Sequence, residues 1–401
     1  MKEKIKILEI NDNYEVVGGA ETYYRDIISI LKKNDQDVFA FSFGEKRIND
    51  NEHFIYKENR FKFLRFLYRY TFNLRVYLSI RRYIKQIKPD VIHLHKIDNK
   101  YPLSVLLACR DKNVVSTVHD CGQVCITGWC TYKDTLTVCP GKYGLKCVRR
   151  KCIPPLWLIP IYPMFKLRDY LSKKIIKKYL CPSKMLVNKM QINGFNNVIH
   201  FPYCIEPVKF NNQLHFSNKN FNTVLYAGRI SKEKGLTYLV DAFRILQDKK
   251  INAKLIIIGD GDMKVDLVKK VADLRLDNVK FLAKIPHDKI KEYQNRYSIF
   301  IVPSIWQENY PLSILETLSY GNVVLGSDIG GIKDLVVDGK TGFLFQPKNP
   351  EAISKSVLKV YNNPVLIRRL GHNAKKFGDN KHDPQKHFME IMRIFKAQRK
   401  A

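Results

Sequence analysis

A single stretch limits what this chain can fold into. Ser298-Ile-Phe-Ile-Val-Pro303 is a short, largely apolar run without alternation, as expected of a parallel strand buried on both faces. It leads into Trp306-Gln-Glu-Asn-Tyr-Pro-Leu-Ser-Ile-Leu-Glu316 and then Thr-Leu-Ser-Tyr-Gly321. Pro311 stands where a helix would start, at a position that needs no donor N–H. Leu312, Ile314, Leu315 and Leu318 mark the helix, and Gly321 ends it. Glu308 therefore falls in a loop at the carboxyl end of a strand, and Glu316 on the first turns of the following helix. Open α/β sheets bind ligands at that edge, where outward N–H groups and the positive helix end suit a phosphate.

The rest of the chain repeats the strand–loop–helix rhythm. Ile5–Ile10, Asp37–Phe43, Pro89–His95 and Asn113–His119 read as strands in the first half. Thr223–Gly228, Lys254–Gly259 and Asn278–Ala283 read as strands in the second. At 401 residues the chain exceeds one comfortable core, so two domains are expected. Residues 1–205 form the first, with a Cys-rich insertion at 121–152, and 206–383 the second. A last helix over 384–401 is expected to return to the first domain.

Several loops carry candidate chemistry. Gly18-Gly19-Ala20-Glu21 follows the first strand, where glycines let backbone approach a ligand and the helix start favours phosphate. His119-Asp120 sits at another strand end. Ala227-Gly228-Arg229-Ile-Ser-Lys-Glu-Lys234-Gly235 offers a planar guanidinium and a point charge to a pyrophosphate.

Glu308-x7-Glu316, with Arg229 and Lys234-Gly235 before it and Gly330-Gly331 after it, resembles the donor site of glycosyltransferase family 4. The resemblance spans nearly the whole chain and is tightest over residues 223–344. It implies the GT-B fold, an α/β architecture of two Rossmann-like domains with parallel sheets facing across a crevice. It also implies a retaining glycosyltransferase that moves a sugar from a nucleotide-diphosphate donor, UDP- or GDP-linked. Arg229 and Lys234 would then hold the pyrophosphate, and Glu316 the ribose hydroxyls. Glu308 would bind the sugar beside its anomeric carbon and His119 would hydrogen-bond it, the two residues assigned to catalysis. Gly18, Gly19 and the backbone at Asn309, Tyr310, Pro311 and Leu312 would contact phosphate or sugar. No metal is required for the transfer. The sequence departs from the commonest family form at Asn309-Tyr310, which leaves the sugar open.

Charge alone does not choose among partners. Net charge is +31, from 69 Lys+Arg against 38 Asp+Glu, so the partners are anionic: nucleic acid, an acidic membrane or phosphorylated substrates. Residues 57–88 interleave Arg and Lys with aromatics, and Phe63, Leu67, Tyr70, Leu74 and Tyr77 share helical spacing. Pro154–Phe165 is apolar and leads into the basic Lys166–Lys178. Both read as membrane-surface elements as well as core helices. A lipid-linked saccharide acceptor, an anionic membrane surface and no nucleic acid are the expected partners. The expected location is cytoplasmic, peripheral on the inner face of the plasma membrane, since no apolar run approaches the ~20 residues of a membrane span.

Six of the nine cysteines lie in 121–152. A structural zinc on Cys125, Cys139, Cys147 and Cys152 would stabilise a loop with little apolar content; reduced, unliganded thiols are the other reading. A nucleotide-sugar epimerase of related fold, a non-catalytic sugar-nucleotide sensor and a nucleic-acid-binding protein remain compatible with the residues.

Overall fold

A computed structural model describes residues 4–15, 18–58, 71–96, 101–208 and 219–399. The chain forms two units, each with its own sheet: Met1–Tyr203 with Pro384–Ala401, and Cys204–Asp383.

In unit 1 an eight-stranded sheet runs β3-β4-β2-β1-β5-β6-β7-β8. Its strands are β1 (Lys6–Asn11), β2 (Asp37–Gly44), β3 (Ile48–Asn49), β4 (His53–Lys57), β5 (Val91–His95), β6 (Val114–Thr117), β7 (Ile176–Cys181) and β8 (Val198–His200). Every pairing is parallel except β3 with β4. The helices are α1 (Gly19–Lys33), α2 (Leu74–Ile87), α3 (Pro102–Cys109), α4 (Leu145–Arg149), α5 (Pro155–Ile175) and α6 (Lys184–Ile192). Chain order reverses at β1, which has β2 on one side and β5 on the other, so the carboxyl ends of β1 and β5 form a switch point. The C-terminal helix Pro384–Arg399 belongs to this unit and buries Phe388, Ile391 and Phe395.

Unit 2 carries a six-stranded, all-parallel sheet, β11-β10-β9-β12-β13-β14. Its strands are β9 (Asn220–Ala227), β10 (Lys254–Ile258), β11 (Val279–Leu282), β12 (Tyr297–Val302), β13 (Val323–Ser327) and β14 (Gly342–Phe345). The helices are α7 (Leu236–Asp248), α8 (Lys264–Asp273), α9 (His287–Arg296), α10 (Leu312–Ser319), α11 (Ile332–Leu335), α12 (Pro350–Val360) and α13 (Pro364–Lys381). Here the switch point lies between β9 and β12.

One expectation changes. Phe63, Leu67 and Tyr70 of the basic-aromatic segment lie outside the described residues. Within α2 the buried face is Val76, Ile80, Tyr83, Ile84 and Ile87, whereas Leu74 is exposed and Tyr77 only half-buried. The stripe drawn through Leu74 and Tyr77 is thus not the core face, because the 3.6-residue repeat that meets the sheet is phased on Val76. Among the described residues no helix is long and apolar enough to cross a membrane.

Candidate active site

In unit 2 the loops leaving β9 and β12 meet backbone to backbone at the switch point. Ile305 N–H donates to the Glu233 carbonyl at 2.9 Å. Gly235 has φ +71°, and a Cβ there would lie 2.1 Å from the Pro303 carbonyl oxygen. Gly330 has φ +57°, and its Cβ would lie 2.4 Å from the Glu308 carbonyl oxygen, which also accepts from Gly331 N–H at 2.7 Å. No larger residue fits either place, so the glycines set where Lys234 and Glu308 stand.

Lys234 and Glu308, 74 residues apart, form an ion pair with Nζ 2.6 Å from Oε1. Ser304 Oγ donates to the same oxygen at 2.7 Å, and the Lys234 ammonium lies 5.5 Å from the Trp306 ring centroid. Glu308 is buried, which by itself would raise its carboxyl. The Lys234 charge and the hydrogen bonds from Lys234 and Ser304 outweigh burial and hold it below its usual value. Arg229 is exposed and reaches Glu233 Oε1 at 3.3 Å, with Ser231 donating to Glu233 at 2.7 Å. Pro311 caps α10, so Leu312 opens it, and Glu316 sits half-buried one turn in. Asn309 is half-buried and Tyr310 buried. The strand-end expectation thus gathers Lys234 with Glu308 directly, and Arg229 beside them through the Glu233 loop.

In unit 1, Gly18 N–H donates to Glu21 Oε2 at 2.8 Å, closing the start of α1. Gly18 is extended (φ −167°) and Gly19 is already helical, so neither needs glycine for its backbone. Glu21 is buried and pairs with Lys96 Nζ at 3.1 Å.

His119 is buried just past β6, and both its ring nitrogens have partners within unit 1. Nε2 lies 3.0 Å from His95 Nδ1 and Nδ1 lies 2.6 Å from the Tyr203 hydroxyl. His95 Nε2 lies 2.7 Å from Glu9 Oε2, and His93 Nδ1 lies 2.9 Å from the same oxygen. Glu9, His93 and His95 are wholly buried. Burial works to raise the Glu9 carboxyl, but the charge of His93 and hydrogen bonds from His93 and His95 pull it down to about 2. Burial and the neighbouring His93 push His95 down to about 4, and burial with His95 and Lys96 holds His119 well below its ordinary value. Sequence reading gave this group no role, although a signal was there. Glu9 is a charge inside an otherwise apolar central strand, and His93-x-His95 repeats at the period that puts both on one face.

All nine cysteines are free thiols. A tetrathiolate zinc needs sulfurs about 3.8 Å apart. Among the described residues no three of Cys125, Cys139, Cys147 and Cys152 come within 4.8 Å of one another; Glu9, His93 and His95 are the group whose ligand atoms do. The loop is anchored otherwise. Buried Arg168 donates to the Gly122 and Gln123 carbonyls at 3.0 and 2.8 Å, and Lys189 Nζ donates to the Cys139 carbonyl at 2.6 Å.

Comparison with known proteins accounts for both units. Residues 17–200 match the model of Glycosyltransferase Family 4, and 208–377 that of Glycosyl transferases group 1. The chain belongs to this family. It is 29% identical over 238 residues to the capsular polysaccharide biosynthesis glycosyltransferase CapM of Staphylococcus aureus, covering 57% of this chain and 62% of CapM. It is 26% identical over 218 residues to an uncharacterized glycosyltransferase of Methanocaldococcus jannaschii, covering 54% of this chain and 59% of that one. The aligned parts thus span about three fifths of these relatives. HepE of Anabaena, solved with UDP and glucose, matches with a TM-score of 0.69 at 16% identity, covering 98% of this chain and 100% of HepE. At that identity it is the fold that is shared, and the fold is GT-B.

Proposed function

We propose that this chain is a retaining glycosyltransferase that moves a sugar from a nucleotide-diphosphate donor to a lipid-linked saccharide in surface-polysaccharide biosynthesis. The observation that carries the reading is the Lys234–Glu308 pair at the switch point of unit 2. A cation and a carboxylate held together there can part, one to a phosphate and the other to a sugar. Lys234 and Arg229 would take the pyrophosphate and stabilise the charge that grows on the leaving nucleotide. Glu308, kept ionised, would receive sugar hydroxyls and stabilise an oxocarbenium-like transition state. Glu316 would hold the ribose hydroxyls, His119 a hydroxyl of the transferred sugar. Gly18, Gly19 and the Asn309–Leu312 backbone would contact phosphate or sugar. No metal takes part in this mechanism. The polysaccharide role of CapM and the UDP and glucose bound by HepE support the substrate class.

The acceptor side rests on α5. Its buried face carries Phe165, Arg168, Ser172 and Ile175, while Leu156, Ile159, Pro163, Leu167 and Tyr170 are exposed. Those five share one helical face with Lys166, Lys173 and Lys174. An apolar outer stripe ending in lysines fits an anionic membrane, and on this reading the protein would sit peripherally on its cytoplasmic face.

Zinc remains structural in this reading. On binding the ion, the thiols of Cys125, Cys139, Cys147 and Cys152 would lose their protons and the four would close up on it. Elemental analysis of the purified chain should count one zinc per molecule, lost when the four are changed to Ser.

The deciding experiment offers labelled UDP-, GDP- and dTDP-sugars with and without bacterial lipid extract. Label entering the lipid phase from one donor is expected, with the anomeric configuration retained. Free, altered sugar without transfer would instead favour an epimerase, and tight nucleic-acid binding with no turnover would sink the transferase reading.

A further inference from the structure

The buried chain of polar groups behind His119 has a direction. Glu9 keeps its charge and can only accept, so the nitrogens facing it must carry protons. His95 Nε2, 2.7 Å from Glu9, is therefore N–H. The 3.1 Å approach of His95 Nε2 to His93 Nδ1 leads to the same assignment, because a His93 Nδ1–H aimed at Glu9 leaves nothing there for His95 to accept from. Burial keeps His95 neutral, so its Nδ1 has no proton and must accept. Its partner is His119 Nε2 at 3.0 Å, which must then donate. His119, also neutral, is left with an unprotonated Nδ1, and the Tyr203 hydroxyl 2.6 Å away donates to it. On the far side Thr117 Oγ1, 2.8 Å from His93 Nε2, completes the row. One charge at Glu9 thus orders the protons over three residues. Stacking fixes the rings: His95 on His119 with centroids 5.2 Å apart, and Tyr23 on Tyr203 at 4.4 Å.

We propose that Glu9 is a positioning residue that acts through His95 to hold His119 as its Nε2–H tautomer, so that Nδ1 meets its ligand only as a hydrogen-bond acceptor. Tyr203 is the hydroxyl it accepts from in this structure. On the function proposed above, a hydroxyl of the transferred sugar takes that place during the reaction. The site is then selective for a donor sugar with an O–H there. A group that can only accept, such as fluorine, would leave a buried nitrogen unpaired.

The test uses the full chain with ¹⁵N-labelled histidine rings, assigned by loss of the His119 signals in His119→Asn. Long-range proton–nitrogen correlation distinguishes protonated from unprotonated ring nitrogens. His119 should show protonated Nε2 and unprotonated Nδ1. In Glu9→Gln two acceptor oxygens become one acceptor and one donor, and an NH₂ in the place of Oε2 requires His95 Nε2, 2.7 Å away, to accept. The pattern should therefore reverse along the row, with His119 Nδ1 protonated. A protonated Nδ1 in the native chain, or the same tautomer in Glu9→Gln, would overturn the proposal. So would one equivalent of metal bound by the native chain and lost with Glu9→Gln, since a metal would replace those protons. Turnover supplies a second readout, with UDP-glucose as the probe or whichever donor the panel selects. Glu9→Gln should lower kcat roughly 10- to 100-fold with KM little changed. The double variant Glu9→Gln/His119→Asn should be no worse than His119→Asn, because the two residues act as one unit. Additive losses would mean that Glu9 supports only the fold. Full activity in His119→Asn alongside the expected tautomers would fault the role given to His119 and leave the proton order standing.

Discussion

Glu308 is ionised in a nearly closed place because Lys234 stands 2.6 Å away. Glu308→Gln keeps the shape and removes the charge, so transfer should fall at least about 100-fold, as when other preorganised electrostatic groups are removed. Donor KM should hold or improve, since Lys234 is freed for phosphate; steady-state kinetics separate the two, and undiminished kcat would remove Glu308 from the chemistry. His95 makes a different prediction. Its folded value of about 4 lies below the ordinary 6.5, so the unfolded chain takes up a proton first as pH falls. Stability from this group is therefore complete above 6.5 and declines between 6.5 and 4, by on the order of 3 kcal/mol. Urea midpoints measured across that interval should drop, and a flat profile would mean His95 is not held neutral. At this scale the sequence revealed positions better than partnerships. Glu308 and Glu316 could be placed because Pro303, Pro311 and Gly321 punctuate the local chain. The pairing of Lys234 with Glu308, or of Glu9 with His95, depends on how distant strands align, and no local pattern carries that.

The strands and their carboxyl-end loops were legible because parallel strands buried on both faces leave a continuous apolar run. Faces of helices were less so. Apolar spacing through Leu74 and Tyr77 suggested one stripe, but contact with the sheet chose the face phased on Val76, and aromatic residues at helical spacing fit either. For α5, by contrast, the apolar-then-basic order of the sequence is also the order on its exposed face. Leu156→Glu and Ile159→Glu together remove two apolar side chains that are 82% and 76% exposed and touch little of the core. Binding to vesicles containing phosphatidylserine should weaken at least about tenfold, each such side chain contributing ~1.5 kcal/mol or more when buried in lipid. Flotation measures this, with the Tm unchanged because the inward face is untouched. Equal binding by the double variant would leave the membrane reading to other surfaces.

On the scale of the molecule, the two units differ in how the chain builds them. Unit 2 is one continuous segment, Cys204–Asp383, with its own sheet and core. Unit 1 is discontinuous, because Pro384–Ala401 completes it after the chain has made all of unit 2. That last helix is more than a tail. Ile391 and Phe395 are wholly buried, Phe388 and Met392 nearly so, and Phe395 meets the His93 ring edge-on at 5.4 Å. His387 Nε2 lies 2.8 Å from the Tyr23 hydroxyl, whose ring stacks on Tyr203. Ending the chain at Asp383 would remove these side chains and uncover the sheet face beneath them, at roughly 1.5–3 kcal/mol for each large apolar group lost. Four such groups reach the whole stability of a typical domain, about 5–15 kcal/mol. The truncated chain should therefore lose the folding transition of unit 1 while keeping that of unit 2, seen as one calorimetric transition where the full chain shows more. Adding the peptide 384–401 in trans should restore it in part. A truncated chain with both transitions intact would show that unit 1 closes its core without the helix, and that the polar row beneath Tyr23 does not depend on His387 and Phe395.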